Sequence, residues 1–479
     1  MKKICTSGTK VFLFVLLCSL TLVPAAHATN GMNMEGYGPI ATGMGGASMA
    51  YDNGTAAMMN NPATLSLMEG PARLDLAVGF LGPNITTSMT GMPDAKSSAD
   101  LFMMPAFGYA RKSGQFTYGA GVFAQGGMGT EYAANSFLAA GSNEKVRSEV
   151  SMGRFLIPVA YQVDDKLTIG GSLDFVWASM DLKMAMSGAQ FADLATPGQQ
   201  EYGTATGSLV NTFGTFIAGG LGVNYARFDF SDGSDFSGKA KGTGFAAKIG
   251  GTYKIDDKLT IGGAYHSKTS MSDLETDSAN VSMNVDATAF GGPAQVPMVL
   301  KGKIQVRDFE WPQMIGLGAA YKATSKLMLV ADYKWINWAE VMKNFKMTFT
   351  ADQSASNDFT AAFGPGADLR GQSMDATLFQ KWKDQNVFML GAAYKITDEF
   401  TGRAGLNIAN NPIPSKYENP LFPAIVKNHV MLGAGYAISK ASSIDASFTY
   451  APEVKVTNGQ NVTTTHSQMN EQIMYSYRF

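Results

Sequence analysis

The chain has 479 residues, 16% of them charged, and carries a formal net charge of −2 at neutral pH. This balance excludes a disordered acidic tail and predicts no attraction to nucleic acids or other polyanions. The two cysteines, Cys5 and Cys18, both lie close to the N-terminus. The rest of the chain therefore cannot form a disulfide framework or a thiolate metal site.

The N-terminus has the three parts of a secretory signal peptide over residues 1–28. Lysines at its start precede an apolar run from Val11 to Val23, and Ala26-His27-Ala28 supplies small residues for cleavage. The apolar run is shorter than the about 20 residues that a spanning helix needs. We therefore expect export and cleavage near Ala28.

Period-two alternation recurs along the remainder of the chain. Leu74, Leu76 and Val78 alternate with small or polar residues, and the same pattern returns from Leu167 to Ser179. Such alternation is typical of a strand whose two faces lie in different environments. It predicts strands that face either a protein core or lipid.

A degenerate repeat is centred on tight polar turns. The segments 161–171 and 253–263 are nearly identical, and shorter versions occur at 321–327, 394–400 and 436–441. Each predicts a hairpin, with Asp, Ser, Thr and Lys suited to the reversal. Short turns alternate with longer connections along the chain, which is how bacterial outer-membrane barrels are connected.

Counting from these turns predicts an all-β fold, a 14-stranded antiparallel transmembrane β-barrel over residues 71–479. Its long extracellular loops are expected near 185–242 and 271–309. The predicted strands are 73–81, 101–111, 115–125, 151–163, 167–184, 243–255, 259–270, 310–323, 327–349, 385–396, 400–409, 428–438, 443–454 and 471–479. The last strand alternates and ends on Phe479, as the final strand of an outer-membrane barrel does.

Residues 29–70 differ in kind, because they are rich in glycine and methionine and show no strand alternation. Asn61 before Pro62 fits a helix N-cap followed by proline in the first turn. We therefore expect short helices joined by glycine turns, which form an N-terminal hatch or plug in the barrel lumen. The candidate hatch residues are Gly43, Gly45, Gly46, Asn61, Pro62 and Ala63.

Several motifs resemble the FadL family of long-chain fatty acid and hydrocarbon transporters. In the hatch they are Gly36-Tyr37-Gly38, Gly43 to Ala47 and Asn61-Pro62-Ala63; the similarity continues at 129–132, 333–338, 403–405 and 412–414. The resemblance implies a fourteen-stranded barrel with a lumen hatch. It also implies that cargo binds in apolar grooves of the extracellular loops and leaves sideways through a kink in the third strand.

The candidate lateral opening is the glycine run Gly126, Gly127 and Gly129. Glycine breaks are suited to interrupting a strand ladder, and this run falls where the family irregularity is expected. A flexible start of a loop is the alternative interpretation.

Apolar residues in the two long connections are candidate ligand contacts, because exposed they would form an unusually large apolar surface. They are Phe191, Leu194, Leu209, Phe213, Phe216, Ile217, Leu221, Met271, Leu274 and Met283. The alternative is that the two loops pack on each other. By strand parity Arg154, Lys334 and Arg403 point into the lumen, which makes them candidate partners for a cargo carboxylate. The alternative is a structural role, because most lumen charges in barrels pair with acids of the plug or of neighbouring strands.

The sequence therefore predicts an outer-membrane uptake channel for a hydrophobic small molecule, first of all a long-chain fatty acid. An aromatic hydrocarbon is the alternative cargo, and a general diffusion porin or an outer-membrane hydrolase are alternatives of other classes. His266 and Ser267 are neighbours on one strand and point to opposite faces, so they form no direct dyad. We expect no catalytic residues, no metal, no cofactor and no nucleic-acid partner, and a monomer in contact with outer-membrane lipid.

Overall fold

The computed structural model describes residues 30–234, 237–364 and 366–479. The predicted signal peptide lies outside the described residues. Across the described part of the chain, 22 strands join in one antiparallel sheet. No helix among these residues is long and apolar enough to span a membrane.

The strands are numbered in chain order. They are β1 (Ala72–Met89), β2 (Ala95–Lys96), β3 (Phe102–Ser113), β4 (Phe116–Tyr132), β5 (Val146–Gln162), β6 (Leu167–Ser187), β7 (Gly203–Thr206), β8 (Gly222–Phe230), β9 (Ala240–Lys254), β10 (Leu259–His266), β11 (Ser270–Met271), β12 (Leu274–Asp286), β13 (Val296–Arg307), β14 (Met314–Lys322), β15 (Leu327–Ile336), β16 (Asn344–Ala351), β17 (Ser373–Phe379), β18 (Gln385–Lys395), β19 (Phe400–Ala409), β20 (Asn428–Ala437), β21 (Ser442–Thr457) and β22 (Val462–Arg478).

Helices are short and lie in the hatch or the outer connections. The α-helices are α1 (Pro39–Thr42), α2 (Gly188–Ala195), α3 (Ser208–Ala218), α4 (Trp338–Val341) and α5 (Thr360–Phe363). The 3-10 helices are Gly54–Met58, Pro62–Leu67, Phe137–Ala139, Thr288–Phe290, Ala355–Asn357 and Ser415–Tyr417.

Strand β9 shows why these segments form the wall of a barrel. Phe245 and Ile249 are 67% and 63% exposed, whereas Ala246 and Lys248 between them are buried. An apolar outer face alternating with a polar or small inner face is the pattern of a strand between lipid and a barrel lumen. The ring closes where β22 pairs with β1, from Arg478 opposite Arg73 to Val462 opposite Met89.

The predicted count of fourteen strands is wrong. At the end of the barrel opposite the short turns, β6 pairs with β8, β8 pairs with β12, and β12 meets β9 at Glu275 and Lys241. The closed path through β8 and β12 has 16 strands. Nearer the short turns, β6 pairs directly with β9. The two additional strands are β8 and β12, and they lie in residues 185–242 and 271–309, for which the sequence predicted loops.

Those connections are therefore largely sheet rather than loop. Beyond β12 the pairing continues through β13, β16 and β17 to β7, which extends the wall outward. The predicted single strand 327–349 is also wrong, since it divides into β15 and β16 with α4 between them. Asn337 and Trp338 start the helix at the break.

Residues 30–68 lie inside the ring and make contact with many of its strands. Nearly every residue from Asn30 to Leu65 is buried. An added Cβ at Gly45 would come within 2.7 Å of the carbonyl oxygens of Leu390 and Leu406. Backbone of the segment thus lies directly against backbone of the wall.

Candidate functional site

The wall has a gap beside the glycine run of β4. Strands β3 and β4 pair from Ser113 and Phe116 only as far as Ala106 and Phe123. Beyond that point β4 pairs on its other side with β5, with a register shift between Ala124 and Gly126. The outer part of β4 therefore has no β3 partner, and unpaired backbone in a strand needs another hydrogen-bond partner when it is buried.

The hatch supplies some of the hydrogen-bond partners that the outer part of β4 lacks. The N–H of Gly127 donates to the carbonyl oxygen of Met32 at 3.2 Å, and Asn33 forms an isolated bridge with Gly126. A Cβ at Gly126 would collide with the same Met32 oxygen. Glycine is thus required here for close approach of the hatch, and the hatch covers the gap from inside.

A cavity of about 340 Å³ opens at this gap. Its lining is mainly apolar and combines lumen-facing with lipid-facing side chains; among them are Ile85, Phe102, Met128, Met152, Trp177 and His466. Among the described residues that line it, none is a lysine or arginine, and Glu149 is the charged carboxylate. The cavity therefore suits an uncharged apolar molecule better than a charged one.

A second, larger groove of about 520 Å³ lies at the outer end. Its lining includes the charged side chains Asp193, Lys416 and Glu418 as well as apolar and aromatic ones, among them Met186, Leu194, Tyr202, Phe379, Tyr417 and Leu421. Lys381 lies 5.0 Å from the ring centroids of both Phe379 and Tyr417. The volume is within the range of small-molecule sites, about 300–1,000 Å³.

Two of the three predicted lumen cations are engaged by buried aspartates. Arg154 forms an ion pair with Asp174 at 2.8 Å, and Lys248 also contacts that carboxylate. Arg403 pairs with Asp445 at 2.8 Å. Breaking such a buried pair costs about 3–5 kcal/mol, so these guanidinium groups are poor partners for a mobile ligand.

The third cation, Lys334, is buried on β15. It lies within electrostatic reach of Asp332 and of Glu35 in the hatch. Lys334 therefore lies between the wall and the hatch, and it does not line the cavity at the gap.

The ten predicted apolar contacts lie in three different settings. Leu194 lines the outer groove. Phe191, Leu209, Phe213 and Met283 line only a void of about 10 Å³, which is too small for cargo.

The remaining members of the set lie around the same packing. Leu221 and Leu274 are buried, Ile217 is 38% exposed, and Phe216 and Met271 are partly buried against the core. Most of these side chains thus hold the outer strands and helices together.

The six predicted hatch residues occupy special backbone positions. Gly45 and Gly46 have φ of 78° and 85°, which glycine adopts without strain, and Gly43 ends α1. Asn61 accepts from the N–H of Ala63 at 3.1 Å, with Pro62 in the first turn of the 3-10 helix.

Asn61 also connects the hatch with the wall. Its amide donates to the carbonyl oxygens of Met49 at 2.8 Å and Gly251 at 3.1 Å. The side chain of Asn61 thus forms hydrogen bonds both within the hatch and to a strand of the wall.

The aromatic and methionine lining of both cavities is not among the residues predicted from the sequence. Trp177 stands opposite Gly153 in the β5–β6 ladder, where the missing side chain leaves room for the indole ring. The methionines Met184 and Met186 end β6. A tryptophan paired with glycine beside a methionine-rich strand end was the available signal.

Comparison with known proteins gives a consistent result. The family model of outer membrane protein transport proteins (OMPP1/FadL/TodX) matches residues 15–477. Outer membrane protein P1 of Haemophilus influenzae is 24% identical over 214 residues, 44% of this chain. That match spans 39% of the relative's length.

Solved structures match over nearly the whole chain. The Pseudomonas putida toluene transporter TodX is 30% identical with a TM-score of 0.77, covering 94% of this chain and 100% of that chain. The Ralstonia pickettii toluene transporter TbuX is 30% identical with a TM-score of 0.73, covering 93% and 99%.

A FadL homologue of Pseudomonas aeruginosa, at 15% identity and a TM-score of 0.66 with coverage of 94% and 100%, shares the fold. With the family model matched over most of its length, this chain belongs to the OMPP1/FadL/TodX family of outer-membrane transport proteins, whose members are channels for hydrophobic compounds rather than enzymes.

Proposed function

We propose that this protein takes up neutral monoaromatic hydrocarbons, which bind in the outer groove, pass to the cavity at the β3–β4 gap and leave laterally into the membrane. The observation that carries the proposal is the charge of the gap cavity and of the lumen beside it. The lumen cations Arg154 and Arg403 are already paired, and the described lining of the gap cavity contains no lysine or arginine.

An ionised carboxylate in such a cavity would be buried without a counter-ion, which is costly. A monoaromatic ring loses no hydrogen bonds on leaving water and gains about 25 cal/mol for each Å² of apolar surface buried. Trp177 and Phe102 line the cavity, and aromatic side chains make favourable edge-to-face or offset-stacked contacts with another aromatic ring. The similarity to two toluene transporters over more than 90% of the chain supports the same cargo class.

Lateral release is supported by the position of the cavity. Its lining includes lumen-facing Ile85 and lipid-facing Met103, which is 44% exposed on the outer face. Cargo that leaves here reaches lipid without crossing water.

A long-chain fatty acid is the second candidate cargo, and Lys416 favours it. This lysine lines the outer groove, where its ammonium could receive a carboxylate, although it pairs with Glu201 at 2.8 Å. A fatty acid would therefore need the outer groove for its carboxylate, whereas a monoaromatic hydrocarbon has no polar end to place.

Ligand binding to the purified protein separates the candidates. Toluene and oleate are titrated at equal concentrations while tryptophan fluorescence is recorded, with Trp177→Phe as the variant that removes the reporter from the cavity. We expect a saturable change with toluene in the wild type that is lost in Trp177→Phe, and at least tenfold weaker binding of oleate. Tighter binding of oleate than of toluene would reject the hydrocarbon assignment.

A further inference from the structure

The outer wall carries a groove on its lipid-facing side, separate from both cavities described above. Its volume is about 810 Å³, and it crosses β5, β6, β9, β10 and β14. Its exposed lining is almost entirely apolar, and the rim side chains are Val159, Tyr161, Ile169, Ile249, Tyr265 and Leu317.

The groove exists because neighbouring strands lack side chains on this face. On β6, β9 and β10 the outward positions are odd-numbered, as the exposure of Ile169, Ile249 and Ile261 shows. Gly171, Gly251 and Gly263 occupy three of these outward positions.

The three glycines are also close to one another across the sheet. Gly251 stands opposite Gly263 in the β9–β10 ladder. On its other side Gly251 stands opposite Ile169, and Gly171 stands two residues further along the same strand. Gly171 and Gly263 line the groove, and Gly251 lies between them on β9, so bare backbone on three adjacent strands underlies it.

The depth of the groove in the membrane falls within one leaflet, because the groove crosses five strands and spans two or three residues of each. From Leu259, beside the short turn, to Tyr265 the strand rises by about 20 Å at 3.3 Å per residue. At a tilt of 35–45° this covers about 15 Å of membrane depth, or half of a hydrocarbon core about 30 Å thick. The short turns of such barrels are periplasmic, so the groove lies in the periplasmic leaflet, which consists of phospholipid.

The turns at the end of the groove carry charges of both signs. Five lysines and four aspartates are exposed there: Lys166, Lys254, Lys258, Lys322, Lys326, Asp164, Asp165, Asp256 and Asp257. Ammonium groups favour the phosphate of a headgroup and carboxylates favour an amine. Nearly equal numbers of both signs therefore complement a zwitterionic headgroup better than an anionic one.

We propose that this groove is a binding site for a zwitterionic phospholipid with a primary amine in its headgroup. One acyl chain lies along the glycine floor, and the phosphoethanolamine group lies among the charged turns. The site goes beyond the transport path, because none of its lining belongs to either cargo cavity.

Filling the floor tests the site. A Cβ at Gly251 would lie 3.5 Å from the carbonyl oxygen of Thr168, an ordinary contact, so Gly251→Leu places its side chain in the groove without strain. Gly402→Leu is the matched control, since Gly402 also faces outward on β19 and its Cβ would meet only the end of Ile396 at 3.4 Å. Gly171→Leu fills the same floor from β6 and serves if the first variant does not fold.

Delipidated protein is titrated with dioleoyl phosphatidylethanolamine or dioleoyl phosphatidylglycerol, and bound lipids are counted by native mass spectrometry. We expect one tightly held phosphatidylethanolamine in the wild type and in Gly402→Leu, at least fivefold less in Gly251→Leu, and at least threefold less phosphatidylglycerol than phosphatidylethanolamine. Equal retention in all three proteins overturns the site, and preference for phosphatidylglycerol overturns the headgroup assignment. A dimer of the wild type that Gly251→Leu abolishes would show that a second copy of this chain occupies the groove instead.

Discussion

The backbone N–H of Ser48 in the hatch donates a hydrogen bond to Oδ2 of Asp332 on β15 at 2.6 Å. The next N–H, of Met49, donates to the same oxygen at 3.0 Å. Asp332 is buried, so one wall carboxylate holds two consecutive backbone groups of the hatch in a setting where water cannot replace it.

Asp332→Ala is expected to loosen the hatch. Two buried N–H groups lose their acceptor, and each unsatisfied group costs about 1–3 kcal/mol. Single-channel conductance should rise from near zero to measurable openings, while Asp398→Ala, at an exposed turn, should behave as the wild type. Unchanged conductance in a heat-modifiable, folded Asp332→Ala barrel would show that the hatch does not depend on this carboxylate.

A pair of glycines separates backbone strain from close approach. Gly45 and Gly70 both have φ of 78°, so an alanine at either site costs about 1 kcal/mol in conformational strain. At Gly45 the added Cβ also meets the Leu406 carbonyl oxygen at 2.5 Å, whereas at Gly70 the nearest atom is 3.8 Å away. Gly45→Ala should therefore raise conductance and lower the thermal unfolding midpoint clearly more than Gly70→Ala. Equal effects would mean that the contact between hatch and wall contributes nothing.

The lateral route is tested by filling its cavity. Met128 lines the cavity at the β3–β4 gap, and Met128→Trp adds volume there without a change of backbone. We expect at least tenfold slower release of toluene from loaded protein into liposomes, whereas Met128→Leu, which nearly conserves volume, should release at the normal rate. Release that stays fast in a folded Met128→Trp protein would direct cargo through the hatch. The glycines of β4 are less suitable, because a Cβ at Gly127 would collide with the Val150 carbonyl oxygen.

Binding in the outer groove is expected to depend on pH through Glu418. This residue lies in the connection between β19 and β20, and burial raises its pKa from 4.5 to about 8. In the folded connection Glu418 keeps its proton up to about pH 8, whereas a Glu418 exposed to water loses it near pH 4.5. The contribution of Glu418 to the stability of the folded connection is therefore fully present below pH 4.5 and is lost as the pH rises toward 8. Toluene affinity should drop severalfold from pH 6 to pH 9 in the wild type and in Glu453→Gln, at an exposed site, but not in Glu418→Gln. A pH profile that Glu418→Gln leaves intact would assign the dependence to another group.

Strand parity was the most informative property of the sequence, and it worked wherever lipid enforces it. In β9 the outward residues must be apolar, so Phe245 and Ile249 could be assigned to a wall strand from the sequence. In β12 and β13 the alternation is equally clear, for example at Val281, Met283 and Val285, but there the apolar face is buried and the polar face meets water. Such strands resemble those of a soluble sheet, so a pattern of lipid-facing residues does not identify them, and the sequence predicted loops there.

The site was less predictable than the wall, because its geometry depends on contacts that are distant in sequence. The glycines of β4 were noticed as a break, but their role as a surface for Met32 requires the hatch to be in place. Likewise, parity placed Arg154 in the lumen, yet only the fold brings Asp174 and Lys248 to it. The local sequence pattern predicts which face of the strand a side chain occupies, but it does not predict which residue that side chain contacts.

Uptake by intact cells tests the central claim most directly. Cells that lack their own channels for hydrophobic compounds are given radiolabelled toluene or oleate at low concentration, with expression of this protein or of an empty vector. We predict a severalfold faster initial uptake of toluene with the protein than with the vector, and a smaller gain for oleate. Equal toluene uptake with and without folded protein in the outer membrane would contradict the proposed function.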